Sequence, residues 1–241
     1  MKKILAIATN SNAELAEGHR TGLWLSELTH FLEEMQVAGY RVDLASPLGG
    51  KIPLDAGSVS EKQMRDRANA RFMGDRAMRS MLETSLSVSG VEAADYAAIY
   101  LSGGHGTMFD FRQSAALQQK LTEFHTAGKI LAGVCHGVAG YIDAEDARGD
   151  LIVAGRRITG FSNIEDTLAG SKKYMPFLLE DELSMNGALY RKNLVPFTAR
   201  VEVDGMLVTG QNPQSAKAVG REVVKLLKKQ PTAAAKLPPL R

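Results

Sequence analysis

The stretch Lys129–Val138, "KILAGVCHGV", decides how this chain is read. An apolar run leads into Cys135, the only cysteine, with His136 beside it and Gly137 after it. Cysteine is among the most buried residue types and is usually inert, so a thiol filling the end of a core strand is one reading. The order of residues favours another. An apolar run, a Cys-His pair and a glycine have the layout of a strand, a sharp turn and a helix start, which is that of a nucleophile elbow. Such a turn lies at the carboxyl end of the sheet, where open α/β folds bind ligands. A helix N-terminus there offers partial positive charge and free N–H groups, which favours thiolate over thiol. Cys135 is therefore read as a nucleophile.

Outward from this stretch, short apolar runs alternate with helical patterns. Residues 3–8, "YRVDLAS" (40–46), "YAAIYLSGG" (96–104) and "KILAGV" (129–134) read as strands, and most are apolar throughout, as strands covered on both faces are. Residues 24–38 have helical periodicity and stop at Gly39, and residues 113–127 look helical. This alternation predicts an α/β fold with a parallel sheet and helices on both faces. "RVEVDGMLVTG" (200–210) reads as a hairpin turning at Asp204-Gly205, followed by a helix over 215–228. Two excursions, 51–90 and 160–195, exceed what a tight crossover needs. No repeat or linker divides the chain, so 1–228 reads as one domain, and the proline-containing tail 229–241 is expected to fray.

The 241 residues carry a net charge of +2 with both signs interleaved, so nothing argues for nucleic acid or an anionic membrane as partner. A lone cysteine forms no internal disulfide, which fits a reducing compartment. The opening "MKKILAIATNSN" has too short an apolar run for a signal peptide, and no segment has the roughly 20 apolar residues a membrane helix needs. The expected location is the cytoplasm.

Three further places carry groups suited to chemistry. His136 is either an ordinary polar residue at a helix start or the proton partner of Cys135, and a base in that role needs an orienting acid. "TGFSNIEDT" (159–167) offers two, Glu165 and Asp166, and spacing does not choose between them. Gly103-Gly104-His105-Gly106 ends another apolar strand and is neither a Rossmann fingerprint nor a P-loop. It is a tight turn, or a source of N–H groups near Gly104 for developing oxyanion charge. Glu27 falls among Trp24, Leu28 and Phe31 on the apolar side of its helix, whereas Glu33 and Glu34 look like surface acids. It is a partly exposed helix acid, or a buried carboxyl whose pKa is raised into the range of a general acid/base. The five histidines form no zinc motif, and no metal or cofactor is expected, although His19, His105 and Glu27 could meet in space.

"TGLWLSELTHF" (21–31), "YLSGGHGTMFDF" (100–111), "AGVCHG" (132–137), "ITGFSNIED" (158–166) and "VDGMLVTGQNPQSA" (203–216), in this order, resemble the ThiJ/PfpI superfamily. The likeness is to its heat-shock-chaperone or glyoxalase III branch, of glutamine-amidotransferase-like fold, and runs from about residue 2 to 228. It implies a flavodoxin-like three-layer sandwich, commonly dimeric, with 51–90 and 160–195 forming a small cap over the pocket. By position it implies Cys135 as nucleophile, His136 and Asp166 as its triad partners, and Glu27 as the carboxylate sharing a proton with the thiol. Gly103, Gly104 and His105 would contact substrate or oxyanion. Val138 and Phe31 depart from the pattern, standing where many relatives have proline, and read as packing changes. The implied activity is a cofactor-independent conversion of methylglyoxal or glyoxal to lactate or glycolate through a Cys135 hemithioacetal. The other expectations are a holding chaperone, suggested by Met64, Met73, Met78 and Met81, and an oxidant sensor built on Cys135.

Overall fold

The computed structural model describes residues 3–16 and 18–230. From the amino end come strand β1 (Lys3–Ile7), a small hairpin of β2 (Glu14–Ala16) and β3 (His19–Arg20), helix α1 (Leu25–Val37) and β4 (Arg41–Ser46). The first excursion holds α2 (Arg67–Gly74), α3 (Arg76–Glu83) and β5 (Leu86–Ser87). Next are β6 (Tyr96–Leu101), α4 (Thr107–Asp110), α5 (Ala115–Thr126) and β7 (Ile130–Val134). The second excursion contributes β8 (Arg157–Ile158), α6 (Asn163–Ala169), α7 (Leu179–Met185) and β9 (Leu189–Tyr190). The chain closes with β10 (Val201–Asp204), β11 (Leu207–Gly210) and α8 (Ala216–Lys229). The tail expected to fray lies, from residue 231 on, outside the described residues.

Seven strands form one sheet in the order β10-β11-β7-β6-β1-β4-β5, parallel except where β10 meets β11. The parallel strands are the apolar runs of the sequence, and β1, β6 and β7 are almost wholly buried because helices cover both faces. α1 and α8 pack on each other, while α5 packs on β6 and β7. This is the flavodoxin-like sandwich expected. β6 and β7 are adjacent, with Leu101 paired to Gly133, so the Gly103-Gly104 turn and Cys135 leave the sheet side by side at its carboxyl edge.

Three details differ from the sequence reading. The hairpin pairs Asp204 with Leu207, so its turn is Gly205-Met206, one residue beyond the expected pair. The first excursion does not roof the pocket: α2 packs on α1, α3 packs on α2, and β5 extends the sheet edge beside β4. Only its Asp55 and Gly57 reach the cleft outside the pocket. Met64, Met73, Met78 and Met81 are half-buried and packed against the core. No helix among the described residues is long and apolar enough to cross a membrane.

Candidate active site

Cys135 succeeds β7 directly and takes φ +56°, a conformation L-residues rarely adopt and one that concentrates at functional sites. The elbow therefore exists, but the expected α-helix after it does not. Residues Cys135–Tyr141 wind as a 3-10 helix, a tighter turn suited to a segment whose Gly137 and Gly140 weaken α-helical preference.

Glu27 lies in the first turn of α1, fully buried. Its Oε2 accepts the Gly103 N–H at 2.8 Å, and its carbonyl accepts the Tyr100 hydroxyl at 2.7 Å. The Tyr100 ring stacks on Phe31 at 3.7 Å, so Phe31 supports the group that positions Glu27. Burial pushes the Glu27 carboxyl up to about 8, against the opposing pull of the Cys135 thiol and the Gly103 N–H. Its Oε1 has no well-aligned hydrogen bond although the thiol is within reach of the carboxyl.

The same burial, and then the neighbouring Glu27 carboxyl, push the Cys135 thiol well up, while the His136 N–H pulls the other way. The expectation of a standing thiolate is thus overturned. Desolvation and a neighbouring acid outweigh the N–H groups of a short 3-10 turn, and the resting group is a thiol.

His136 Nδ1 lies 3.6 Å from the Cys135 sulfur, and its Nε2 lies 3.2 Å from Asp166 Oδ2. Burial acts to raise Asp166, but the His136 and His105 imidazoles and the Ser171 hydroxyl, which donates to Oδ1 at 2.6 Å, hold it well below the usual carboxylate range. An ionised carboxylate only accepts, so His136 carries its hydrogen on Nε2 and leaves Nδ1 to receive the thiol proton.

Glu165 points elsewhere. It caps α6 with Ser162 and takes hydrogen bonds from Gln211, Asn212 and the Phe197 N–H. The acid that reaches His136 is Asp166.

The remaining expected residues divide. Gly104 has φ +113°, and a Cβ there would sit 2.2 Å from the Gly22 carbonyl oxygen, so only glycine fits. Its N–H has no acceptor among the described residues and borders the pocket. Gly103, expected to face substrate, has its N–H committed to Glu27 instead. His105 borders the pocket with its ring 4.5 Å from that of His136, and burial, then His136, lower its pKa. His19 joins neither Glu27 nor His105; it pairs with Asp55 at 3.5 Å.

Cys135, His136, Glu27, Gly104 and His105 thus converge on a cavity of about 140 Å³. Its other walls include Trp24, Phe161 and Phe197, none assigned a role from sequence. Phe161 packs on His136 at 4.6 Å, and its place in "TGFSNIED", five residues before Asp166, is the signal that marks it. Phe197, at φ +59°, comes from an irregular strap with no periodicity to flag it. Together these groups can form a thiolate at the moment of attack and hold a neutral carboxyl beside it.

The model of the DJ-1/PfpI family matches residues 21–226. Glyoxalase 3 of Candida albicans is 28% identical over 235 residues, covering 93% of this chain and 97% of that protein. The glutathione-independent glyoxalase HSP31 of Saccharomyces cerevisiae is 29% identical, covering 94% and 98%. Among solved structures, the Rapid Encystment Protein of 24 kDa from Francisella tularensis superposes with a TM-score of 0.89 at 34% identity, covering 94% of this chain and 99% of that one. Glyoxalase III from Candida albicans superposes with 0.86 at 28%, covering 93% and 96%.

Proposed function

The chain belongs to the DJ-1/PfpI family, and from that premise we propose that it is a glutathione-independent glyoxalase acting on small 2-oxoaldehydes such as methylglyoxal. The observation that carries the proposal is the pairing of two unlike acids in one pocket: the buried Cys135 thiol and the Glu27 carboxyl, raised to about 8, with the His136–Asp166 pair behind the sulfur.

His136 Nδ1 takes the thiol proton as sulfur adds to the aldehyde carbon, and the resulting oxyanion is protonated to a hemithioacetal. Asp166 keeps His136 in the tautomer that can accept. The Gly104 N–H supports the developing oxyanion. Glu27, in its ionised form, then removes the former aldehyde hydrogen and returns a proton to the adjacent carbon, which turns the hemithioacetal into a thioester through an enediol. A pKa near 8 leaves roughly one Glu27 in ten ionised at pH 7, and makes its conjugate acid a competent donor for the return step. Water hydrolyses the thioester to the hydroxy acid and frees the thiol. Carbon is oxidised at one centre and reduced at the next, so no external oxidant or cofactor enters the balance.

The raised thiol argues against oxidant sensing, because peroxide reacts with thiolate. The methionines that suggested a chaperone are half-buried against the core, which weakens that reading without bearing on the pocket. A cytoplasmic homodimer remains part of the proposal, its oligomeric state tested by sedimentation. The deciding experiment is lactate formation from methylglyoxal without glutathione: Cys135→Ala abolishes it with the fold intact, and unchanged turnover sinks the proposal.

A further inference from the structure

One group beside the pocket is surplus to this reaction. His136 needs a single orienting acid and has it in Asp166, yet His105 is aimed at the same carboxylate. Its Nε2 is buried, without a hydrogen-bond partner, and 3.6 Å from Asp166 Oδ1. That is long for a hydrogen bond, so the ring lies against the carboxylate without a well-formed partner for this nitrogen.

One ligand-type atom each from His105, His136 and Asp166 lies within 4.8 Å of the other two. Zinc bonds to nitrogen and oxygen of roughly 2.0–2.1 Å put neighbouring ligand atoms of a tetrahedron about 3.3 Å apart. His136 Nε2 lies 3.2 Å from Asp166 Oδ2 and His105 Nε2 lies 3.6 Å from Oδ1, so the two rings approach the carboxylate at its two oxygens, each at a separation near that figure. The carboxylate is steadied by the Ser171 hydroxyl, the kind of outer hydrogen bond that orients metal ligands. His105 and Ser171 also border the outer cleft of about 490 Å³, which gives an ion a route in.

We propose that His105, His136 and Asp166 form a binding site for a divalent cation of the zinc type, completed by water from the pocket, whose occupation switches off the Cys135 site. The thiol is not a ligand, because Cys135 Sγ lies at Nδ1, on the edge of the His136 ring away from Nε2. Coordination at Nε2 shifts the ring hydrogen to Nδ1 with no net loss of protons. Nδ1 then donates towards sulfur and can no longer accept the thiol proton, so nucleophilic attack stops. The binding goes beyond the glyoxalase reading, and only the inhibition rests on it.

The test uses chelator-stripped full-length protein. Titration with Co²⁺ is expected to give a saturable visible spectrum of tetrahedral cobalt, displaced by Zn²⁺. His105→Gln and Asp166→Asn each weaken binding by more than the roughly 10–100-fold that loss of an outer hydrogen-bond partner costs, whereas Cys135→Ser leaves affinity and spectrum unchanged. Zn²⁺ raises the Tm of the wild type and of Cys135→Ser and leaves that of His105→Gln where it was. In the lactate assay Zn²⁺ suppresses wild-type turnover and chelator restores it. Absence of a saturable cobalt signal in the wild type, or affinity unmoved by both ligand substitutions, overturns the site. An active enzyme that binds zinc through His105 without inhibition overturns the switch. Cobalt binding through His105 by a protein inert to aldehydes overturns the glyoxalase reading and leaves the site standing.

Discussion

Glu27 makes this protein lose stability as pH rises, and Glu27→Gln removes that loss. The unfolded carboxyl titrates at its ordinary value of 4.5, the folded one at about 8. Because the folded value is the higher, the bound proton stabilises the native state fully below pH 4.5, and that stabilisation is lost as pH climbs through 8. In between, the folded chain holds one proton more than the unfolded chain, so stability falls by about 1.4 kcal/mol per pH unit. Integrated from about pH 5 to about pH 8, the loss is on the order of 3–4 kcal/mol. The group is fully buried, so solvent screening takes little from this figure.

Urea melts of wild type and Glu27→Gln at intervals across that range isolate the effect, since every other titrating group is common to both. The stability difference is expected to grow steadily in favour of the Glu27→Gln variant as pH rises, with m unchanged. A constant difference across the range refutes the reasoning. It would mean that Glu27 is already ionised in the folded protein, with the Gly103 N–H and the thiol outweighing desolvation.

The same group sets the rate profile: lactate formation measured as kcat/KM rises with pH until about 8, because Glu27 takes the carbon-bound hydrogen only when ionised. Gly103→Ala puts a Cβ 2.6 Å from Glu27 Oε2, 2.7 Å from the Val134 carbonyl oxygen and 2.8 Å from the Gly137 N; two of these are backbone atoms at the elbow, so the turn itself must shift, and kcat falls by about 10²-fold in steady-state assays with a lower Tm. Neighbouring acids separate cleanly. Glu165→Gln leaves buried donors facing an amide and costs about 2–4 kcal/mol in urea melts, whereas Asp166→Asn chiefly lowers turnover by supporting the wrong His136 tautomer.

The strands are legible in the sequence because a strand covered on both faces is apolar at every position, and Cys135 because that run breaks into a Cys-His-Gly turn. The features that escape depend on how separate segments dock. Glu165 and Asp166 are one residue apart, about 100° around α6, so which one meets His136 depends on the seat of that helix. Ser162, Gln211 and Asn212 claim Glu165 and leave Asp166 facing inward. The protonation state of Cys135 escapes for the same reason. A local reading sees only the turn's N–H groups, while the burial and the Glu27 carboxyl that oppose them are supplied by α1 and the Gly103 turn.

Phe31 carries the point furthest. From sequence it reads as packing, remote from chemistry. Stacked on Tyr100, whose hydroxyl donates to the Glu27 carbonyl, it helps fix the acid that opposes the thiol. The motifs that carry the resemblance contain Glu27 and Cys135, but the carboxyl is raised by the burial that α1 and β6 impose on it together, so its pKa follows from packing and not from the motif alone.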